Sequence, residues 1–393
     1  MSWRAWIAGG LFLGAACTGS ITSTTRPWTS ESSADTGAAG ATAAGSGGSG
    51  GLGGDSGGPA SGGGGAAPTD KTATDTSENT SSGPRETYYV QDGTLRDRCG
   101  ERVVLRGVNH PTLDVDRQGK ALAEIAKTGA NAVRLFWYAA RGVAITEAEA
   151  AISEAIKQHM LPILVMGDTT CEWETDKLDE IEAYWTSPEA VALIDRHKAN
   201  LIINVADEPS APNAPAFKLK YTSMLKAIRT AGIHVPVMID GAECGREYGM
   251  LLSQGPALLQ ADPDHNLVFS AHLYNPMSAS DLAKVYGDFA AAKLAFVVGA
   301  FGNKQRPGCS AALEYQALIS EAQKQSVGWL AWSWGDDDPS KRWNSECGEF
   351  DMTSTFAFDS LEGWGKEVAL SLPDSIMKTS NRPRSLATGE CAP

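Results

Sequence analysis

The sequence predicts a (β/α)8 TIM barrel that starts with a short β-hairpin and follows a long disordered linker. Three observations carry this prediction. Apolar strand-like runs alternate with amphipathic helical runs eight times over about 300 residues, as in parallel strands joined by crossover helices. The strand runs are apolar throughout rather than at every second position, so both faces of the sheet are buried. Ahead of them lies a stretch of Gly, Ser, Ala and Thr with almost no apolar residue, which cannot bury a core.

The elements follow in chain order. Residues 1–17 read as a lipoprotein-type signal peptide. Arg4 gives a short positive segment, and the apolar run 7–16 is too short to span a bilayer. Leu13-Gly14-Ala15-Ala16-Cys17 resembles a bacterial lipobox with Cys17 as the lipidated residue. Gly14 stands where Leu is usual, so plain secretion is the alternative. The expected location is the outer membrane or cell surface, with the membrane touched only through Cys17. Residues 18–85 are the linker, which holds a monomeric domain, 86–393, away from that surface. Residues 88–95 read as the hairpin, with Asp92-Gly93 at its turn.

The strand runs are 104–108, 132–136, 162–166, 201–205, 235–239, 267–273, 294–298 and 327–334. The helical runs between and after them lie around 122–128, 147–159, 188–196, 217–231, 251–260, 279–292, 312–325 and 364–372. A doubly wound open sheet is the other architecture compatible with alternation. No Gly-rich nucleotide fingerprint follows the first strand, which counts against it.

A net charge of -14 argues against a nucleic-acid partner, which needs a basic face. It fits a neutral ligand. No metal or organic cofactor is implied. Of the seven cysteines, six remain once Cys17 is set aside, an even count that suits disulfides in an exported chain. Cys99 and Cys391 are placed to tie the ends of the domain together, and Cys309 and Cys347 to join neighbouring loops.

In a barrel of this kind the reactive groups sit at the C-terminal strand ends. Those ends carry Asn109 and His110, Arg134, Asp168, Asp207 and Glu208, Asp240, His272 and Tyr274, Ala300, and Trp334. Asp168 and Asp240 also read as helix caps. Trp332 and Trp334 alternate on one strand, so the same side is expected for both. Trp137, Trp173, Trp185 and Trp343 are further candidates for an aromatic cleft lining.

Several motifs in combination resemble glycoside hydrolase family 5, in particular its bacterial endo-β-1,4-mannanases. They are Val104-Leu105-Arg106-Gly107-Val108-Asn109-His110, Gly129-Ala130-Asn131-Ala132-Val133-Arg134, Asp168-Thr169-Thr170, Asp207-Glu208-Pro209, His272-Leu273-Tyr274, Gly299-Ala300-Phe301-Gly302 and Trp332-Ser333-Trp334. The resemblance covers about residues 86–372. It implies Glu208 as the acid/base that protonates the leaving sugar. It implies Arg134, His272 and Tyr274 around the nucleophile, His110 lining the subsite of the scissile sugar, and Trp334 as its floor.

The chain departs from the family at the reacting centre. Ala300 stands at the nucleophilic Glu, and a methyl group cannot attack an anomeric carbon. Asp207 stands where the family has an Asn that bonds the sugar 2-hydroxyl. One carboxylate is lost and one gained, so Asp207 is the expected new partner for Arg134. Gly167 replaces a His, and Glu243 and Cys244 replace an aromatic-bearing loop. The resemblance therefore implies a homologue directed at β-1,4-linked, mannan-type polysaccharide, impaired in catalysis and retaining glycan binding. An active endo-β-glycanase using Glu208 with a second carboxylate such as Asp207 is the alternative. It suffers from geometry, because inverting pairs stand about 6.5–9.5 Å apart. A purely structural or protein-binding barrel is a third reading. Glu243, Asp336, Asp337, Asp338, Glu346 and Glu349 are loop acids within possible reach of the site.

Overall fold

The computed structural model describes residues 84–139, 142–335 and 350–391. The signal and lipobox readings, nearly all of the linker, Trp343, Cys347 and the loop acids from 336 to 349 lie outside the described residues.

A two-stranded antiparallel hairpin, β1 (Tyr89–Gln91) and β2 (Thr94–Arg96), opens the domain. Its turn is Asp92-Gly93, with both residues at positive φ, as a two-residue hairpin turn requires. Asn266, at the start of the sixth barrel strand, fastens it. Its side chain accepts from the Val90 amide at 3.0 Å and donates to the Tyr88 carbonyl at 3.1 Å.

Eight parallel strands close into the expected barrel. They are β3 (Arg106–His110), β4 (Ala132–Trp137), β5 (Leu161–Met166), β6 (Ile202–Asn204), β7 (Val237–Asp240), β8 (Leu267–His272), β9 (Ala295–Ala300) and β10 (Gly328–Ala331). The closure is β10 against both β9 and β3. Successive side chains divide between two packed layers. Ala132, Ile163, Val165, Ile202, Met238, Val268, Val297 and Leu330 fill the interior. Val108, Val133, Leu135, Leu164, Ile203, Ile239 and Val298 face the surrounding helices.

The helices follow where the apolar spacing places them, with short additions at Thr112–Val115, Ile376–Thr379 and Arg384–Thr388 and one longer one. After β5 the chain forms Thr175–Trp185 as well as Pro188–His197. Leu178, Ile181 and Trp185 recur three and four residues apart and are buried, so this segment has its own apolar stripe. Pro188–His197 starts sharply because Ser187 accepts from the Ala190 amide and Pro188 needs no partner for a missing N–H.

Cys99 and Cys391 are disulfide-bonded across 292 residues and tie the two ends of the domain together. Cys309 is also disulfide-bonded. A second described bridge joins Cys171 to Cys244, connecting the loops after β5 and β7.

Candidate active site

The barrel mouth is organised around Arg134, which points inward from β4 and is wholly buried. Its Nη2 donates to Asp207 Oδ1 at 3.2 Å and to Asp240 Oδ2 at 3.1 Å, and also to Asn204 Oδ1. Its Nη1 donates to Asn109 Oδ1 at 3.0 Å and lies 3.3 Å from His272 Nε2. Asp207 thus pairs with Arg134, and Asp240 shares the guanidinium. Thr170 donates to the other oxygen of Asp207 at 2.8 Å.

Glu208 lies just beyond β6 at φ 47°, a left-handed conformation unusual for a side chain of this size. Three contacts fix it. Its amide donates to Asp240 Oδ2 at 3.3 Å, its carbonyl accepts from the Cys171 amide at 3.0 Å, and its Oε1 lies 2.6 Å from His272 Nδ1. Its Oε2 faces the Cys171 sulfur at 3.8 Å. The Cys171–Cys244 bridge therefore lies against the acid itself. Glu208, Tyr274, Arg246, Arg306, Pro307 and the two cysteines line a pocket of about 110 Å³.

The electrostatics follow from burial. Desolvation pushes the Asp207 carboxyl up to about 7, reinforced by the neighbouring Glu208 charge and opposed by Arg134. For His272, burial works against the imidazolium, yet Asp240 and the hydrogen bond to Glu208 outweigh it. Its proton is held to a higher pH than that of a free imidazole. Burial keeps the Tyr274 hydroxyl protonated far beyond the ordinary range. Asp207, Asp240 and His272 present ligand atoms within 4.8 Å of one another, a spacing a cation could use. Arg134 already brings a positive charge to both carboxylates.

Ala300 ends β9 opposite His272 in the β8 register, and its carbonyl accepts from the Leu273 amide at 2.9 Å. It joins Phe136, Tyr274, Trp332 and Phe350 in the inner apolar cluster. Gly167 has a direct explanation. A side chain there would begin 2.4 Å from the Tyr138 ring, which occupies that space. Gly245 is similar: a Cβ would stand 2.7 Å from the His272 ring, which the loop after β7 covers closely.

Four sequence expectations need correction. His110 points outward: it is fully buried, bonded to Asp116 at 3.2 Å and edge-on to Phe356. Trp334 is likewise fully buried in the outer layer, its indole N–H donating to the Phe356 carbonyl at 2.9 Å. Neither lines the mouth. Trp332 is the tryptophan on the inner side, edge-on to Phe136. Regular strand ends at Ala331, so alternation does not carry the two tryptophans to one side. Asp168 and Asp240 cap no helix. Asp168 accepts from the Ala139 amide, and Asp240 belongs to the Arg134 network.

Trp137 and Trp185 are core, each donating to a backbone carbonyl, and Trp173 packs against the outer layer. Glu243 is exposed. Sequence reasoning passed over Asn204 and the Cys171–Cys244 pairing, and chose Trp334 over Trp332 for the site. The inward parity of Asn204, two residues after Ile202 on β6, was the available signal for the first.

A closed parallel barrel that gathers acids and an arginine at its strand-end mouth is the arrangement in which barrel enzymes place their site. Residues 97–338 match the model of the cellulase family, glycosyl hydrolase family 5, and the chain belongs to that family. It is 28% identical over 289 residues to a mannan endo-1,4-beta-mannosidase of Streptomyces lividans, covering 71% of this chain and 73% of that protein. A Cellvibrio japonicus protein of the same description is 28% identical over 305 residues, covering 75% and 68%. Among solved structures, a β-mannanase from Streptomyces thermolilacinus with mannohexaose superposes with a TM-score of 0.69. It is 26% identical and covers 77% of this chain and 99% of that one.

Proposed function

We propose that the chain is a glycan-binding member of family 5, directed at β-1,4-linked, mannan-type polysaccharide, that does not run the family's retaining hydrolysis. The observation that carries this is Ala300 at the end of β9, beside a mouth that keeps Arg134, Glu208, His272 and Tyr274. The retaining reaction needs two carboxyl groups about 5–5.5 Å apart, one of them attacking C1. Glu208 supplies the acid. No attacking group stands at position 300. The names of the relatives support the choice of mannan. Trp332 takes the sugar-facing position expected of Trp334.

The domain is displayed outside the cell on the 18–85 tether, with Cys17 as the lipid anchor. The disulfides support an oxidising compartment.

The test is release of reducing ends by the full chain from mannan, glucomannan, cellulose and xylan, with Ala300→Glu alongside. The native chain is expected to be silent. The variant is expected to gain at least ~10³-fold on mannan, against the ~10⁶ that losing a nucleophile costs in a well-studied hydrolase. Mannohexaose is expected to bind both forms by calorimetry. Mannan cleavage by the native chain, or no mannohexaose binding, overturns the reading.

A further inference from the structure

Among the described residues, buried donors without an acceptor stand on both sides of Ala300. Tyr274 Oη and Trp332 Nε1 are buried and have no hydrogen-bond partner. They flank Ala300 through the neighbouring strands: the Leu273 amide donates to the Ala300 carbonyl at 2.9 Å and the Trp332 amide to the Phe301 carbonyl at 2.8 Å. A buried donor left unsatisfied is costly, so a ligand that brings an acceptor here is favoured. The second anomaly is Asp207. The family's Asn at this position can donate or accept, whereas an ionised carboxylate only accepts. Once ionised, Asp207 therefore asks a ligand group beside it for an N–H or O–H.

One sugar substituent meets both demands. A 2-acetamido group carries an N–H on the atom attached to C2 and a carbonyl oxygen that folds back beneath C1. It also supplies the missing nucleophile, since some glycosidases without a protein nucleophile use this carbonyl in its place. The stereochemistry narrows the class further. Attack from behind requires the 2-substituent trans to the leaving group. In a β-mannoside the axial 2-substituent is cis to it, whereas in a β-glucosaminide the equatorial group is trans.

We propose that this chain hydrolyses β-linked 2-acetamido-2-deoxy sugars of gluco configuration, with the substrate's amide carbonyl replacing the carboxylate lost at Ala300. The carbonyl oxygen attacks C1 while the C1–O bond to the leaving sugar breaks. Glu208 delivers its proton to the departing oxygen. The result is a bicyclic oxazolinium whose N–H is held by Asp207, with Tyr274 and Trp332 as donors beneath it. Glu208, now a carboxylate, takes a proton from water, which attacks C1 and reopens the ring. The N-acetyl group is restored and the product is the β-anomer. Only water is consumed. This inference rests on the reading that the mouth binds β-1,4-linked glycans, and replaces manno by gluco configuration at the sugar it cleaves.

The test uses the full chain with 4-nitrophenyl β-N,N′-diacetylchitobioside, 4-nitrophenyl β-cellobioside and the thiazoline of N-acetylglucosamine, a stable mimic of the oxazolinium. The chitobioside is expected to turn over at least ~100-fold faster than the cellobioside, the β-anomer to appear first by NMR, and the thiazoline to inhibit. Asp207→Asn is expected to slow turnover by about 10²–10³-fold and to weaken thiazoline binding, with its melting temperature confirming a folded variant. Equal rates on the two glycosides, an α-anomer product, or no thiazoline binding to the native chain overturns the proposal. Mannohexaose binding without chitobioside turnover overturns this inference alone. Absence of binding to either glycan overturns the glycan-binding reading with it.

Discussion

The inward and outward faces of the same strands use the same residue types for different ends. His272 faces in, between Glu208 and Asp240, while His110 faces out, onto Asp116 and Phe356. Arg134 faces in, among two carboxylates, while Arg106 faces out and donates to the carbonyls of Leu105 and Val327 and to Gln323. Burial lowers the Arg106 value to about 10, opposed only in part by the Asp374 charge. Trp332 and Trp334 divide the same way. Strand parity, rather than residue type, therefore decides which polar groups belong to the mouth and which hold the helices to the barrel.

The tryptophan pair is the sharpest way to break this distinction. Trp334→Ala removes a fully buried ring and its bond to Phe356, and about 3–5 kcal/mol of stability is expected to go with it. Mannohexaose affinity of the folded protein should not change. Trp332→Ala should differ at the site, weakening mannohexaose about tenfold or more. Denaturant unfolding beside calorimetry separates the two, and a reversed pattern would refute the assignment of faces.

The disulfides extend the comparison from the mouth to the chain ends. Cys99–Cys391 and Cys171–Cys244 close long loops, 292 and 73 residues apart, and removing either is expected to cost about 2–4 kcal/mol. Their effects on the site should differ. Cys171 donates its amide to the Glu208 carbonyl, and the Cys244 amide donates to Ser210 Oγ, so this bridge holds the segment that carries the acid. The paired change Cys171→Ser and Cys244→Ser should weaken mannohexaose binding, whereas Cys99→Ser with Cys391→Ser should leave it intact. Equal effects on binding would mean that the first bridge is only a staple.

Much of this was legible in the chain. Eight apolar runs and their helices placed the barrel, because burial of a parallel sheet on both faces leaves no polar alternation to misread. Asp207, Glu208, His272 and Tyr274 converge because each sits at or just past a strand end, and Arg134 joins them from inside β4 because its parity turns it inward. The residues misread were those whose direction depends on where regular strand stops. Trp334 lies three residues beyond β10, and His110 is the last residue of β3, one step past the inward Asn109. The Thr175–Trp185 helix escaped because its Asp and Glu residues mask a three-residue apolar stripe. Asp240 looked like a cap because it precedes a helix, but seven residues of loop intervene before Tyr248.

The smallest expected effect concerns Asp207, and it tests whether the inward network is built for stability. Its folded value is raised to about 7 from an ordinary 3.8, chiefly by burial. Between those values the folded chain keeps a proton that the unfolded chain has released, so stability is greatest at the acidic end and falls as pH rises through 7. His272, also raised, adds a loss in the same direction once pH passes the ordinary imidazole range. Melting temperature should therefore decline from pH 5 to pH 8. Asp207→Asn, which restores the family's amide, should flatten that decline by about 2–4 °C, the shift a domain of this order shows for roughly 1 kcal/mol. Parallel profiles would mean that Arg134 fully compensates the buried charge. A flattened profile would mean that the chain keeps a carboxylate at 207 against its own stability, which points to a demand made by a ligand rather than by the fold.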